Sequence, residues 1–397
     1  MSSDQPATSG RDRREVGVRP PWLSLLLAAF VMFAVWRGTL YMFDLFGLSL
    51  TPAMGRCRKQ WQVFGDDHPL LNGFFRWDSG WYLNIAKRGY SYEPDATSSV
   101  AFYPLLPYSA RYLGHLLGSV PIAGLAISNA ATVGAIYSLR RLGGVLHGDE
   151  VGKLASILLL VFPTSLFLSA FYTEGLYVCM AAASMYCYFR ERFIWCGVLG
   201  MLAMLSRSTG MVLFVALLCD LGVRLYRREL PPSLPMLALF AIPAGLAVFM
   251  LMQHVQVGDP FAFSKTMKHW GRHSAWPWEG IVEAVRRTHF TFPVNFAKTQ
   301  RFIDMLFALG FLGIGVAMAL AGQRIALWVY VIVGMLLPLS TYELAGMSRY
   351  SLGLFPAFPF LARLCQGRPG VERWLIYVSS LFLAIYSLRF MQCGWVG

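Results

Sequence analysis

The first apolar segment of the chain, residues 21–43, reads PWLSLLLAAFVMFAVWRGTLYMF. Its length is about what one membrane-spanning helix needs. Four basic residues precede it, Arg11, Arg13, Arg14 and Arg19, and basic residues beside a span indicate its cytoplasmic end. The segment is longer than the core of a signal peptide, and no small-residue cleavage site follows it. We therefore expect a retained first helix, preceded by a disordered cytoplasmic tail of residues 1–19.

The composition is that of a polytopic membrane protein. Hydrophobic residues make up 56% of the 397 positions and charged residues only 14%, well below the soluble average of about 25%. The net charge of +13 is carried mostly between apolar segments, as topology signals are. This distribution argues against a nucleic-acid-binding protein.

Further apolar runs predict an all-α bundle of about eleven spans in a single domain, residues 20–397. They cover residues 120–139, 152–170, 173–189, 193–205, 209–226, 234–255, 302–321, 325–341, 346–363 and 373–391. Short connections on every second loop are basic, which places them and the N-terminus on the cytoplasmic side. The two long loops, residues 44–119 and 256–301, then lie outside, and the apolar stretch at 100–108 within the first lies in the interface or leads into the next helix.

The seven cysteines include no CxxC pair. Most lie in apolar runs and are expected to be small buried residues. Cys57 and Cys393 are both expected on the oxidising side, so one disulfide between them stays an alternative.

The first long loop contains Arg76-Trp77-Asp78-Ser79-Gly80-Trp81-Tyr82, a carboxylate between aromatic residues. Tryptophan and tyrosine prefer the headgroup level, so Trp77, Trp81 and Tyr82 are expected to hold this segment at the membrane surface and to contact the acceptor. The spacing of Trp77 and Trp81 predicts one helical face with Asp78 at its edge. The plainer alternative is a surface carboxylate paired with Arg76 or Lys87.

This stretch resembles the first-loop signature of the PIG-V family of mannosyltransferases, in the GT-C superfamily. The resemblance runs from about residue 20 to the C-terminus, and its motifs are residues 75–90 (FRWDSGWYLNIAKRGY), 101–107 (AFYPLLP), 172–177 (YTEGLY), 257–263 (VGDPFAF), 270–272 (WGR), 347–350 (MSRY) and 355–356 (FP). It implies a GT-C-type helix bundle whose first extracytoplasmic loop carries interfacial helices, a polyprenyl- or dolichyl-phosphate-mannose donor, inversion at the anomeric carbon, and Asp78 as the general base. One departure is Gly175, where many relatives carry serine.

Inversion needs a base for the acceptor hydroxyl and cations for the departing phosphate. Lys268, His269 and Arg272 in the second loop are candidates for the phosphate, and Lys268 and Arg272 are expected to share a helical face. The alternative is a solvated basic loop that attracts anionic lipids. The histidines lack strong ligand spacing, so no metal or other cofactor is predicted.

Five further residues complete the predicted site. Glu174 is either a first-turn acidic residue or a second catalytic carboxylate beside Asp78. Arg207, between two short runs, is expected to face a cavity or to form a salt bridge with Glu174 or Asp220. Arg349 and Tyr350 are either donor-phosphate ligands or interfacial anchors, and Arg76 is a further candidate for the donor phosphate.

The leading hypothesis is a membrane glycosyltransferase acting on the extracytoplasmic side of a plasma membrane, or the lumenal side of the endoplasmic reticulum. Its partners would be a polyprenyl-phosphate-linked sugar, a glycolipid or glycan acceptor, and membrane lipid. Two alternatives stay open: a transporter or lipid flippase, against which the absence of inverted repeats argues, and a non-catalytic subunit of a glycan-assembly complex.

Overall fold

The computed structural model describes residues 21–50, 62–65, 67–287 and 296–396. The predicted tail, residues 1–19, and Cys57 lie outside these ranges. Within them the chain forms helices and no strands. The α-helices are α1 Pro21–Leu50, α2 Pro69–Gly73, α3 Ser79–Arg88, α4 Leu105–Leu117, α5 Val120–His147, α6 Asp149–Val161, α7 Glu174–Phe189, α8 Phe193–Ser206, α9 Gly210–Tyr226, α10 Ala241–Val257, α11 Ala262–Lys265, α12 Pro277–Arg287, α13 Phe296–Leu320, α14 Ile325–Leu339, α15 Met347–Leu352, α16 Ala357–Cys365 and α17 Pro369–Met391.

By length and composition, five helical segments of the described chain can cross a membrane. They are Trp22–Ser49, Val120–His147, Leu234–Val257, Thr299–Leu320 and Pro369–Met391, and two shorter apolar helices, Phe193–Ser206 and Ile325–Leu339, accompany them. A multi-pass membrane protein is therefore confirmed, while the count of eleven spans stays a prediction.

The first helix is longer than the sequence pattern predicted. The first loop was expected to start at residue 44, whereas α1 continues to Leu50. Asp44 lies in this extension and is fully buried. Both of its carboxylate oxygens accept hydrogen bonds from the Ser387 hydroxyl of α17, at 2.8 and 2.9 Å. A buried carboxylate needs such donors, so this contact joins the first and last helices of the bundle.

The predicted span at residues 346–363 is wrong as a single helix. The structure divides it into α15 and α16, separated by residues 353–356. Pro356 at the N-cap of α16 explains the break, because proline lacks the N–H that would continue the helix and disfavours helical backbone in the residue before it. The short helix α15 carries Arg349 and Tyr350.

The two long loops contain short helices. The first carries α2, α3 and α4, and the 100–108 stretch leads into α4 as expected. The second carries α11, a 3-10 helix Thr266–Trp270 and α12. Among the longer helices, α5 packs against α6 and α7, α8 against α7 and α10, and α14 against α9 and α13. The two long loops contact each other, since the ring centroids of Trp81 and Trp270 lie 5.4 Å apart.

Candidate functional site

Asp78 lies directly before α3, with its side chain 20% exposed. Its Oδ2 accepts a hydrogen bond from Nη1 of Arg349 at 2.7 Å, and not from Arg76 or Lys87, the partners in the plainer alternative. The Asp78 backbone N–H donates to the Tyr172 hydroxyl at 3.2 Å, and that hydroxyl donates to the Arg76 carbonyl at 2.9 Å. Tyr172 thus holds the backbone on both sides of Trp77.

Arg349 connects Asp78 to Glu174, the first residue of α7. Nε of Arg349 donates to Oε1 of Glu174, whose side chain is only 3% exposed. The same oxygen accepts from Nη1 of Arg207 at 2.5 Å. Charges alternate along the series Asp78, Arg349, Glu174, Arg207. Because a buried charge is stable only when it is paired, the four side chains form one electrostatic unit.

Arg207 forms a salt bridge and also faces a cavity, the two alternatives expected from its position in the sequence. It pairs with Glu174 and also lines a cavity that contains Asp78. Its Nη1 further donates to the Thr173 hydroxyl at 3.2 Å. Asp220, the other predicted partner, instead accepts from the Tyr188 hydroxyl and from the Ala326 amide.

Two cavities meet at Asp78. The first, of about 310 Å³, is lined by Arg207, Arg272 and Arg349 and is called here the cationic cavity. The second, of about 680 Å³, is called the tryptophan cavity because Trp77, Trp81, Trp270 and Trp395 line it. Asp78, Trp270 and Trp395 belong to both cavities. The arrangement can place two ligands next to one carboxylate.

Among the three arginines that line the cationic cavity, Arg272 is the one without a carboxylate partner within the described ranges. Its Nη1 donates to the Thr341 hydroxyl at 3.0 Å, and its Nη2 donates to the Tyr350 hydroxyl at 2.6 Å. Tyr350 lines the cationic cavity beside Arg272. An arginine with neutral partners keeps its full charge for an anionic ligand.

The predicted shared face of Lys268 and Arg272 is wrong. The helix that carries Lys268 is a 3-10 helix that ends at Trp270, and the next residue, Gly271, has a φ of +72° that turns the chain before Arg272. Lys268 is exposed and lines neither cavity, and Nε2 of His269 contacts the Pro94 carbonyl at 2.8 Å. Arg76 lines neither cavity either, and its Nη2 donates to the Met391 carbonyl. The structure thus places Lys268, His269 and Arg76 outside the linings of both cavities, and their predicted role in phosphate binding stays a prediction.

Trp77 and Trp81 do not share a helical face. Trp77 precedes α3 with a φ of +53°, a strained conformation for a bulky residue. Its indole N–H donates to the Gly394 carbonyl at 3.2 Å, and its ring meets that of Trp395 at 5.1 Å. Trp81 instead stacks on Phe102, with ring centroids 5.9 Å apart. The C-terminal segment therefore holds Trp77 in position.

Tyr82 is buried and does not lie at the surface, contrary to the expectation of an interfacial residue. Its hydroxyl contacts the Thr173 hydroxyl at 3.3 Å and its ring packs edge-on against Phe102. Burial raises the pKa of the Tyr82 phenol far above its ordinary value, so this hydroxyl stays neutral. It lines the cationic cavity as a hydrogen-bonding group.

Trp270 and Trp395 were not among the site residues predicted from the sequence. Trp270 stands in a motif of the family resemblance, which was the available signal. No sequence signal pointed to Trp395. Cys393, two residues before it, is disulfide-bonded in the structure. Cys57, proposed as its partner, lies outside the described residues. The described residues contain no cluster of three or more His, Cys, Asp or Glu able to hold a metal, and metal independence stays a prediction.

Gly175 follows Glu174 at a position without room for a side chain. A Cβ at residue 175 would lie 2.4 Å from the Leu168 carbonyl oxygen and 3.2 Å from the Thr132 hydroxyl oxygen. These contacts explain why glycine, and not a residue with a side chain, fits at this position of the chain.

Changing Gly175 to Ser is therefore expected to lower the free energy of unfolding by about 1–3 kcal/mol, the usual cost of overpacking. Thermal unfolding of the detergent-purified protein measures it. The control is Gly222→Ser, on a helix with open space around the glycine. Equal melting temperatures for Gly175→Ser and the wild type would contradict the packing argument.

Residues 66–266, just over half of the chain, match the model of the family described as Mannosyltransferase (PIG-V). The chain is 34% identical to GPI alpha-1,6-mannosyltransferase 2 of Mus musculus over 157 residues, covering 36% of this chain and 30% of the relative. For the Cricetulus griseus protein of that name the identity is 30% over 206 residues, covering 49% and 40%. The matched segments thus span well under half of these relatives.

Among solved structures, ArnT from Cupriavidus metallidurans bound to undecaprenyl phosphate is similar with a TM-score of 0.50 and 16% identity. The match covers 93% of this chain and 64% of that one. At this identity the likeness shows the fold alone, which is the GT-C type that the sequence motifs implied.

Proposed function

Because the chain belongs to the PIG-V mannosyltransferase family, we propose that it transfers mannose from a polyprenyl-phosphate carrier to a hydroxyl group of a glycolipid or glycan. The observation that carries this proposal is the position of Asp78 between the cationic cavity and the tryptophan cavity. A carboxylate at that junction can contact an acceptor on one side and a sugar donor on the other.

The cationic cavity is assigned to the phosphate of the donor. A departing phosphate needs positive charge that is already in place, and protein cations do this best away from bulk water. Arg272 supplies a charge with no carboxylate partner among the described residues, and Arg349 and Arg207 supply paired charges behind it. Undecaprenyl phosphate in the similar structure of ArnT supports a ligand of this chemistry.

The tryptophan cavity is assigned to the acceptor. Aromatic rings offer apolar faces to a sugar, and an indole N–H adds a polar contact. Lys87 and Arg88, both exposed, line this cavity and form no ion pair with any described residue. Two such cations suit an acceptor that carries negative charge, for example a phosphorylated glycolipid headgroup.

In the proposed reaction Asp78 is the general base. Its Oδ2 is held by Arg349, whereas Oδ1 accepts no hydrogen bond from the described residues. Oδ1 is thus available to take the proton of the acceptor hydroxyl. The hydroxyl oxygen forms a bond to the anomeric carbon while the bond from that carbon to the phosphate oxygen breaks. The electron pair leaves with the phosphate, and attack opposite the leaving group inverts the anomeric carbon.

The proposed location of this chemistry is the extracytoplasmic side. The support is the charge pattern of the sequence, in which the basic short connections fall on every second loop. Both long loops contribute to the two cavities.

The direct test is transfer of radiolabelled mannose from a short-chain polyprenyl-phosphate-mannose by the purified full chain in lipid nanodiscs. A lipid extract of the source membrane serves as acceptor, and the glucose-linked and aminoarabinose-linked carriers are compared in parallel. We expect labelled product with the mannose carrier. Movement of the carrier across proteoliposomes without any labelled product would instead identify a flippase, and inactivity in both assays would fit a non-catalytic subunit.

The donor assignment predicts a selective effect of Arg272. Changing Arg272 to Ala is expected to raise the donor KM about 10- to 100-fold, since a hydrogen bond to a charged group contributes about 1.5–3 kcal/mol. The matched control is Lys268→Ala, which removes a positive charge four residues away that lines neither cavity. Steady-state kinetics at varied donor concentration measures both variants. Equal donor KM values for the two variants would contradict the assignment.

A further inference from the structure

We propose that Asp304 of α13 is a positioning residue that holds Arg349 against Asp78 and Glu174. Asp304 is 1% exposed. Its Oδ1 accepts from the backbone N–H of Ser348 at 2.8 Å, and its Oδ2 accepts from that of Gly346 at 3.4 Å. The inference rests on the proposed function, because it concerns the orientation of the Arg349 side chain in that site.

The hydrogen bonds of Asp304 fix the start of α15. Gly346, with a φ of +91°, is the residue before this six-residue helix, and Ser348 is in its first turn. The Ser348 carbonyl also accepts from the Thr164 hydroxyl at 3.0 Å. Arg349 is the next residue along the chain, so the backbone at Ser348 sets the origin of its side chain.

The other end of α15 is held as well. The Tyr330 hydroxyl donates to the carbonyl of Gly353, the residue after the helix, at 3.0 Å. The hydroxyls of Tyr330 and Tyr177 lie 2.5 Å apart, and Tyr177 also donates to the Thr209 carbonyl. Side chains from α13 and α14, together with Thr164, thus clamp a segment that is too short to be stable as an isolated helix.

Asp304 is supported from behind by amide and hydroxyl groups. Nε2 of Gln300 donates to Oδ2 of Asp304 at 3.3 Å, and the Tyr386 hydroxyl donates to Oε1 of Gln300 at 2.9 Å. In the described part of the chain, no lysine or arginine lies within 4.0 Å of the Asp304 carboxylate. A carboxylate buried among spanning helices is costly, and such residues usually serve a function. Here the function that fits the contacts of Asp304 is to hold the start of the helix that carries Arg349.

Small changes in the position of the Arg349 side chain are expected to lower the rate of turnover. Its guanidinium reaches two carboxylates at once, through Nη1 to Asp78 and through Nε to Glu174. Functional groups must be held within about 0.5 Å of their productive geometry, and a shift of 1 Å can lower a rate about 100-fold. Loosening the start of α15 is therefore expected to slow turnover more than it weakens donor binding.

The test compares Asp304→Asn with Asp220→Asn. Asp220 is 3% exposed and likewise accepts from a backbone N–H at the start of a helix, that of Ala326 in α14, but it lines neither the cationic nor the tryptophan cavity. Asp304→Asn is expected to lower kcat at least about tenfold, with a donor KM within about twofold of the wild type. Asp220→Asn is expected to lower the melting temperature similarly while kcat is unchanged.

Hydrogen exchange gives a second readout that needs no activity. In Asp304→Asn the amides of residues 346–350 are expected to exchange faster, whereas Asp220→Asn leaves them unchanged. Wild-type kcat in Asp304→Asn, or equal losses of kcat in both variants, would overturn the positioning role. If the wild type transfers no mannose, the proposed function fails, and exchange alone then decides whether Asp304 holds this segment.

A milder variant covers the case in which Asp304→Asn does not fold. Gln300→Ala removes the donor behind Oδ2 and leaves the Asp304 carboxylate in place. We expect intermediate effects on kcat and on exchange at residues 346–350. Wild-type values for both measurements in Gln300→Ala would count against the network.

Discussion

Changing Asp78 to Asn is expected to lower the rate of mannose transfer about 10²- to 10⁴-fold, the range that a positioned general base contributes. Asparagine keeps the size of the side chain, and its amide oxygen can still accept the hydrogen bond from Arg349. It cannot take a proton from the acceptor hydroxyl. The loss should therefore appear in kcat, while the donor KM and the melting temperature change little.

The measurement is single-turnover transfer of radiolabelled mannose, with thermal unfolding of the same preparation. The matched control is Asp95→Asn, the same substitution at an exposed position of the first long loop that lines neither cavity. Asp95→Asn should transfer mannose at the wild-type rate. A fully active Asp78→Asn variant would show that the base is another group and would remove the main support for the proposed mechanism.

Changing Arg349 to Ala is expected to lower both stability and activity, because this side chain joins Asp78 to Glu174. Removing one partner of a buried ion pair usually costs about 3–5 kcal/mol, since the other charge stays buried. Arg207 still pairs with Glu174, so the loss should lie near the lower end of that range. Activity should fall at least about 100-fold, as it does when a preorganised donor to developing charge is removed.

Arg349→Lys separates the effect of charge from the effect of geometry. Lysine keeps the positive charge but presents one ammonium group, which cannot reproduce the planar fork of a guanidinium between two carboxylates. We expect a melting temperature closer to that of the wild type than for Arg349→Ala, with kcat still reduced. Full activity in Arg349→Lys would show that charge alone is sufficient, and wild-type stability in Arg349→Ala would contradict the buried unit of four charges.

The site residues that could be predicted from sequence were those with a local signal. Asp78 stands between interfacial aromatics, Arg207 interrupts two apolar runs, and both signals come from the cost of polar groups at membrane depth. The pairing of Arg207 with Glu174 was one of two stated alternatives and is confirmed. Local periodicity was less reliable in the loops, where it wrongly placed Lys268 beside Arg272 and Trp77 beside Trp81, because it assumed continuous helix across Gly271 and before Ser79.

The sequence by itself determined the membrane-protein class, the all-helical fold and the segment that carries the candidate base, because hydropathy and charge act locally along the chain. Only the tertiary structure decided that Asp78 pairs with Arg349, 271 residues later, and that the C-terminal Trp395 lines both cavities. It also decided that Asp304 accepts a hydrogen bond from the backbone at the start of the helix that carries Arg349. These contacts depend on how separate helices pack, and a buried charge specifies only that some partner must be near, not where in the chain that partner lies.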